Sequence, residues 1–237
     1  MELFYDPEID IGNGVLPEEE SRHCIKVLRK RKGDIIHITN GKGSLYTAII
    51  IQPDKKKCGI EVTKVVKEYG KMSYHTHIAI CPTKSTKRFE WFLEKATEVG
   101  VDVITPVICN NSERRSLNLE RSHKVLSVAM KQSLKAYLPV INQVVDFKDF
   151  IAKVSIAPND QRFIAKYNPS QNYLSEKYNK GGNTMVLIGP EGDFDEYEVA
   201  AAKEAGFEMV NLSTSRLRTE TAGLVVCTII GLANEAG

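Results

Sequence analysis

Two polar stretches near the C-terminal end of this 237-residue chain carry residue types suited to gripping a small charged ligand. The first is Gly189-Pro190-Glu191-Gly192, directly behind the apolar run Met185-Val186-Leu187-Ile188. The second holds Arg216, Arg218, Glu220 and Thr221, behind the apolar run 207–212. Pro190 lacks the N–H that a sheet ladder needs, so a strand stops there. The flanking glycines either make a rigid turn or let backbone approach a ligand closely. Glu191, if shielded, needs a partner: a ligand hydroxyl or an arginine of another loop. Arg218 can hold a substrate oxygen or phosphate with Glu220 orienting it, while the plainer reading is an Arg218–Glu220 ion pair pinning the loop. The stretch is neither a dinucleotide fingerprint nor a P-loop, because GxGxxG is absent and no Lys-Ser/Thr follows the glycines. His75 and His77 share one side of a strand but have no third ligand nearby, so no metal is expected.

These loops need elements to place them. A run as short as 185–188 is a buried strand. Asp195 or Asp193 can cap a helix carrying Tyr197, Val199, Ala200 and Ala205 that closes at Gly206, and Thr219 or Thr221 starts a final apolar helix. In open α/β sheets, ligands bind beyond the C-terminal ends of the strands. Upstream, the pattern predicts a strand over 77–80, an amphipathic helix over 88–99, a strand over 103–108 and a helix over about 119–136. A helix start near Phe147, a strand over 153–157, a mixed loop over 158–166 and an exposed polar loop or poor surface helix over 168–182 come next. Alternating strands and helices make residues 71–237 a parallel-sheet α/β domain. Residues 1–70 read as a small β-barrel. Strands are expected at 3–5, 35–39, 45–51 and 57–66, with helical spacing at Cys24, Ile25, Val27 and Leu28 and an Asn40-Gly41 hairpin signal.

Composition narrows the function classes. A formal net charge of +2 does not by itself indicate a polyanion partner, yet basic residues cluster at Arg29-Lys30-Arg31-Lys32 and again between Lys84 and Arg88. Five cysteines without a CxxC spacing read as reduced thiols in a cytosolic protein. The acidic start MELFYDPEID is not a signal peptide, and no apolar run reaches membrane-spanning length.

LIGPEGDF (Leu187 to Phe194) followed by LRTETAG (Leu217 to Gly223) resembles the paired C-terminal motifs of the bacterial small-subunit ribosomal RNA uridine-N3 methyltransferases, which are SPOUT-type knotted enzymes. HCIKVLRKRKGD (His23 to Asp34) with NGKG (Asn40 to Gly43) is similar to that family's N-terminal PUA-like domain, and PTKSTKRFEWFLEKATEVGVDVITPV (Pro82 to Val107) to the first segment of its methyltransferase domain. The resemblance covers nearly the whole chain. It implies a trefoil knot in the C-terminal domain, S-adenosylmethionine as cofactor, and N3 of a uridine in 16S ribosomal RNA as target. It also implies the small ribosomal subunit as the setting of that RNA, and a cytoplasmic homodimer. Carried over by position, Leu187, Gly189, Pro190, Glu191, Gly192, Leu212, Ser213, Leu217, Thr219 and Ala222 would hold the cofactor. Arg218 and Glu220 would be catalytic. RNA would meet His23, Lys26, Arg29, Lys30, Arg31, Lys32, Lys84 and Arg88, bound through phosphates. The chain departs from the family's LGxRILR at Ser213, Ser215 and Arg216, and has Met130-Lys131 where an acidic residue is common. A vestigial, non-catalytic RNA-binding protein and a methyltransferase for another rRNA position are the alternatives.

Overall fold

The structure, a computed structural model, describes residues 1–154, 160–168 and 170–235. The chain forms two compact units, Met1–Lys71 with Ser127–Leu138, and Met72–Leu126 with Pro139–Gly237.

The first unit contains β1 (Leu3–Tyr5), β2 (Asn13–Val15), α1 (Glu18–Arg22) continued by a π-helical turn His23–Val27, β3 (Ile35–Thr39), β4 (Leu45–Gln52) and β5 (Gly59–Val66). They form one mixed sheet in the order β1-β3-β4-β5-β2, with β1 parallel to β3 and the other pairs antiparallel. Period-two alternation turns Tyr46, Ala48 and Ile50 of β4 to the core beside Ile36, Ile38, Ile60 and Val62. The sequence pattern does not predict β2. It is a short, largely exposed edge containing a glycine, and nothing in its sequence distinguishes it from a loop. The Asn40-Gly41 signal does mark a hairpin, but the pairing Thr39↔Leu45 makes it a longer loop than the two-residue turn. Asn40 Oδ1 accepts from the Lys42 and Ser44 N–H groups inside it.

Residues 127–138 belong with this first unit, whereas a boundary near residue 70 places them in the second. Gly43 N–H donates to Ala136 O (2.8 Å), Leu138 N–H to Gly41 O (2.9 Å) and Thr39 Oγ1 to Ala136 O (3.1 Å). A Cβ on Gly43 would lie 2.2 Å from the Tyr137 ring, so only glycine fits beneath it. Lys131 forms an ion pair with the buried Glu20 of α1, which accounts for a basic residue at that departure from the family pattern.

The second unit contains β6 (His75–Ile80), α2 (Thr86–Val99), β7 (Val103–Ile108), α3 (Leu119–Gln132, whose last turns lie in the first unit), β8 (Val140–Ile141), β9 (Val145–Asp146), α4 (Phe147–Lys153), β10 (Gln161–Ala165), α5 (Leu174–Lys177), β11 (Asn183–Ile188), α6 (Glu196–Glu204), β12 (Glu208–Val210) and α7 (Thr219–Glu235). The sheet is all parallel, in the order β12-β10-β11-β6-β7-β8, with β9 also pairing with β7. The strand β10 corrects the mixed loop expected over 158–166. Its Gln161 and Arg162 hide a strand whose apolar part is only Phe163-Ile164-Ala165, and Arg162 is buried with its guanidinium on Ala205 O at 3.0 Å. Of the strand expected over 153–157, Lys153 instead ends α4, and residues 155–157 lie outside the described residues. The polar stretch after β10 is held in place by buried Asn211, whose amide donates to Asn168 O (2.6 Å) and Gln171 O (2.9 Å) and whose Oδ1 accepts from Asn168 N–H (2.9 Å).

The helix α6 begins at one of the two expected caps, with Asp195 accepting from Glu198 N–H at 2.8 Å and Glu198 Oε2 accepting in turn from Asp195 N–H at 3.0 Å. On α7, Ala222, Val226, Cys227 and Ile230 are buried, and Gly223 lies tight against Phe92 of α2. A Cβ at Gly223 would meet the fully buried Phe92 ring at 2.5 Å, whereas one at Gly231 of the same helix meets nothing closer than 3.8 Å. Both substitutions to alanine gain the same helix propensity, roughly 1 kcal/mol. Gly223→Ala is therefore expected to be less stable than Gly231→Ala by about 1–3 kcal/mol in urea unfolding. Equal stabilities would mean that the α2–α7 packing yields freely.

Candidate active site

Four parallel strands end at one level. The register pairs Ile80 with Ile188, Ile188 with Ala165, and Ala165 with Val210. The ladder runs one residue further on two of them, through Cys81 N–H to Ile188 O (3.1 Å) and Lys166 N–H to Val210 O (3.3 Å). The segments beyond these strand ends leave the same edge of the sheet, and a cavity of about 370 Å³ opens among residues 165–167, 188–193 and 210–222.

Most residues singled out in the two motifs meet at this cavity. Gly189, Pro190, Glu191, Leu212, Ser213, Leu217, Arg218, Thr219 and Ala222 line it. Thr219 Oγ1 donates to Gly189 O at 3.0 Å, tying the second loop to the first. Two of the expected cofactor residues sit elsewhere. The Leu187 side chain is fully buried in the sheet core, because alternation along β11 gives the cavity to Ile188. Gly192 lies against Asn111, whose Cβ would stand 3.0 Å from an added Cβ and whose amide donates to Gly192 O (3.3 Å) and Asp193 O (3.1 Å). At Gly189 an added Cβ would meet the Phe194 ring at 3.0 Å. Both glycines thus serve packing inside the loop.

Glu191 finds its partner in backbone, accepting from Lys84 N–H at 3.0 Å. Lys84 O in turn accepts from Arg114 Nε (3.2 Å) and Nη2 (3.0 Å), so the loop after β6 is clamped from two sides. Arg218 and Glu220 do not form the ion pair of the plainer reading. Glu220, 6% exposed, approaches Arg88 of α2, with Oε1 3.7 Å from Nε, and its Oε2 is buried without a hydrogen-bond partner. It does not line the cavity, and Arg218 does. Lys166 and Tyr167 also line it and have no place in the sequence expectations, and Asp193, expected only as a possible helix cap, lines it too. The signal for Lys166 and Tyr167 is the strand β10: once 161–165 is a strand of this sheet, the residues just past it must open onto the same edge.

Residues 71–231 match the sequence model of an RNA methyltransferase domain, and residues 16–63 that of an RNA methyltransferase PUA domain. Ribosomal RNA small subunit methyltransferase E of Aquifex aeolicus is 27% identical over 237 residues, 97% of this chain and 99% of that protein. The protein of the same name from Mesomycoplasma hyopneumoniae is 28% identical over 209 residues, 86% of this chain and 88% of its own. This chain belongs to the small subunit methyltransferase E family. Among solved structures, a probable rRNA-methyltransferase from Porphyromonas gingivalis is 39% identical, with 100% of this chain and 99% of that one covered and a TM-score of 0.93. Ribosomal RNA small subunit methyltransferase E of Neisseria gonorrhoeae, solved bound to S-adenosyl methionine, is 27% identical, with coverage of 99% and 98% and a TM-score of 0.89.

In this family member the expected RNA-binding side chains divide into two groups. His23, Lys26, Arg29, Arg31 and Lys32 are exposed on the first unit. Lys30 pairs with Glu2 (3.2 Å), Lys84 with Glu113 (2.7 Å), and Arg88 lies beside Glu220. No group of three or more metal-ligating side chains occurs among the described residues. His77 Nε2 is 2.7 Å from Thr105 Oγ1 and its ring stands edge-on to Phe150. Burial, aided by His75, pushes the His77 imidazole down to about 4. The folded value lies below the unfolded ~6.5, so the unfolded chain takes up the proton first as pH falls. Stability is expected to be full above about pH 6.5 and to decline towards pH 4, by on the order of 3 kcal/mol. Chemical denaturation across that range should show a shallower decline for His77→Gln; an unchanged slope would assign the loss to other groups.

Proposed function

We propose that this chain is an S-adenosylmethionine-dependent methyltransferase acting on N3 of a uridine in 16S ribosomal RNA of the small subunit. The observation that carries this reading is the cavity at the common end of four parallel strands, lined by both halves of the family's paired motif. Its residues fit that cofactor. Ile188, Val210, Leu212 and Leu217 offer an apolar wall for a flat base, while Lys166, Glu191, Asp193 and Arg218 supply charge. Bound there, S-adenosylmethionine supplies a methyl group on a sulfonium. Uridine N3 carries a proton, and its loss to solvent water leaves negative charge spread over N3 and the base oxygens until N3 takes the methyl and the sulfonium becomes a thioether. Arg218 lines the cavity, which supports a role in stabilising that charge and holding the base in line. Glu220 is a positioning residue that acts through Arg88, since it lies off the cavity with Oε1 facing that guanidinium. The exposed basic residues of the first unit, His23, Lys26, Arg29, Arg31 and Lys32, hold RNA phosphates. The trefoil knot belongs to the same reading, supported by the resemblance of the paired motifs to those of knotted enzymes.

Calorimetric titration with S-adenosylhomocysteine should show binding; its absence would leave only the RNA-binding role. Arg218→Ala is expected to slow single-turnover methylation by about 10²-fold while holding S-adenosylhomocysteine affinity nearly constant. Should Arg218→Lys fall as far as Arg218→Ala, charge alone does not describe its role. Glu220→Gln should keep most of the turnover, and a collapse would make the carboxylate a base. Mass mapping of 16S rRNA from a strain lacking the gene should reveal a missing N3-methyluridine; loss of a different methyl group would move the target.

A homodimer is also part of this proposal, as is a cytoplasmic setting shared with the RNA substrate. Leu224, Val225, Ile229 and Leu232 form a stripe on α7 that is only partly covered, with Leu232 61% exposed. A stripe at that spacing suits a second copy of the same helix. No helix among the described residues is long and apolar enough to cross a membrane. Light scattering should give a two-copy mass for the wild type and a one-copy mass for Ile229→Asp. A one-copy wild type ends the dimer proposal.

A further inference from the structure

One charged pair at the cavity belongs to neither motif's expected roles. Lys166, the first residue past β10, donates through Nζ to Phe194 O at 2.7 Å, and its ammonium stands 3.6 Å from Asp193 Oδ2. That second separation is longer than a hydrogen bond, so the two charges are neighbours without closing on each other. Both side chains line the cavity and are largely withdrawn from solvent, at 24% and 35% exposure.

Asp193 is also one of the few non-glycine residues with positive φ, at +64°. Glycine occupies that region without steric cost and aspartate does not. The Asp193 carboxylate has one other contact, Oδ1 accepting from the adjacent Phe194 N–H at 2.8 Å. A conformational cost accepted beside a ligand cavity suggests that the side chain has work there. Lys166 has the complementary capacity: three donors, of which Phe194 O takes one and Asp193 faces another.

We propose that Lys166 and Asp193 recognise the α-amino-acid end of S-adenosylmethionine, the ammonium of Lys166 taking the ligand's carboxylate and the carboxylate of Asp193 its ammonium. The proposal rests on the cofactor reading and adds a subsite to it. An adjacent cation and anion match a group that carries an adjacent anion and cation. The other charged groups at the cavity match it less well. Glu191 is engaged by Lys84 N–H, and Arg216 and Arg218 have no carboxylate paired with them among the described residues. The apolar wall of Ile188, Val210, Leu212 and Leu217 leaves the base and the amino acid to opposite kinds of surface.

The test uses two nucleosides that share an adenosine and a thioether. S-Adenosylhomocysteine carries the amino-acid end, and 5′-methylthioadenosine lacks it. Calorimetry on the full chain should show Lys166→Gln and Asp193→Asn each weakening S-adenosylhomocysteine by about ten-fold or more, while 5′-methylthioadenosine stays within about two-fold of wild type. Asp193→Gly removes the carboxylate with its bond from Phe194 N–H but relieves the positive-φ backbone, which offsets a folding defect; it should show the same selective loss. Equal losses for the two nucleosides, or undiminished S-adenosylhomocysteine binding in Asp193→Gly, would overturn this assignment and leave the cofactor reading standing. A wild-type protein that binds neither nucleoside overturns both.

Discussion

Everything at the candidate site depends on the hydrogen-bond register of four parallel strands. Parallel pairing fixes which residues stand side by side, and here it brings Ile80, Ile188, Ala165 and Val210 to one level. The loop beyond each strand therefore emerges at the same edge, whatever its own length or composition. A slip of one residue along β10 would move Lys166 by about 3.3 Å and turn its side chain to the other face. The buried apolar faces of β6, β10 and β11 prevent that slip, because Ala79, Ile164 and Leu187 would lose the core they share. The chemistry at the loops is thus anchored by residues that never touch a ligand.

Much of this is legible in the sequence where one physical signal dominates. Met185-Val186-Leu187-Ile188 ended by Pro190 is a strand, Asp195, one of the two caps offered, starts a helix, and the paired loops meet in space as the strand-end rule implies. The failures share a cause. At Gln161-Arg162 a buried arginine, satisfied by Ala205 O, breaks the apolar run and disguises β10, and with it Lys166 and Tyr167. The partner of Glu220 is hidden because Arg218 is near in sequence whereas Arg88 is near in space. Residues 127–138 fall to the wrong unit since helical periodicity says that a face is buried and not against what.

Charge is distributed in two ways. On the first unit most basic residues of the 23–32 stretch remain exposed, while Lys84 and Arg88, on the second, already face carboxylates. Of these pairs, the exposed Lys84–Glu113 contributes little to stability, whereas Arg88 faces a buried carboxylate. They do set which cations are available to a phosphate. The basic clusters read from the sequence thereby resolve into exposed cations and cations that face carboxylates.

The tie between Tyr137 and Gly43 bears on how such a protein can be taken apart. The chain completes its first unit only after it has already begun the second, since the stretch that caps the hairpin loop is drawn from residues 127–138. A single cut near residue 71 therefore does not release two finished modules. It leaves one without the backbone groups that satisfy Gly41 and Gly43, and the other with an orphaned excursion. Inheritance and shuffling act on contiguous gene segments, so a unit interleaved in this way travels with its partner.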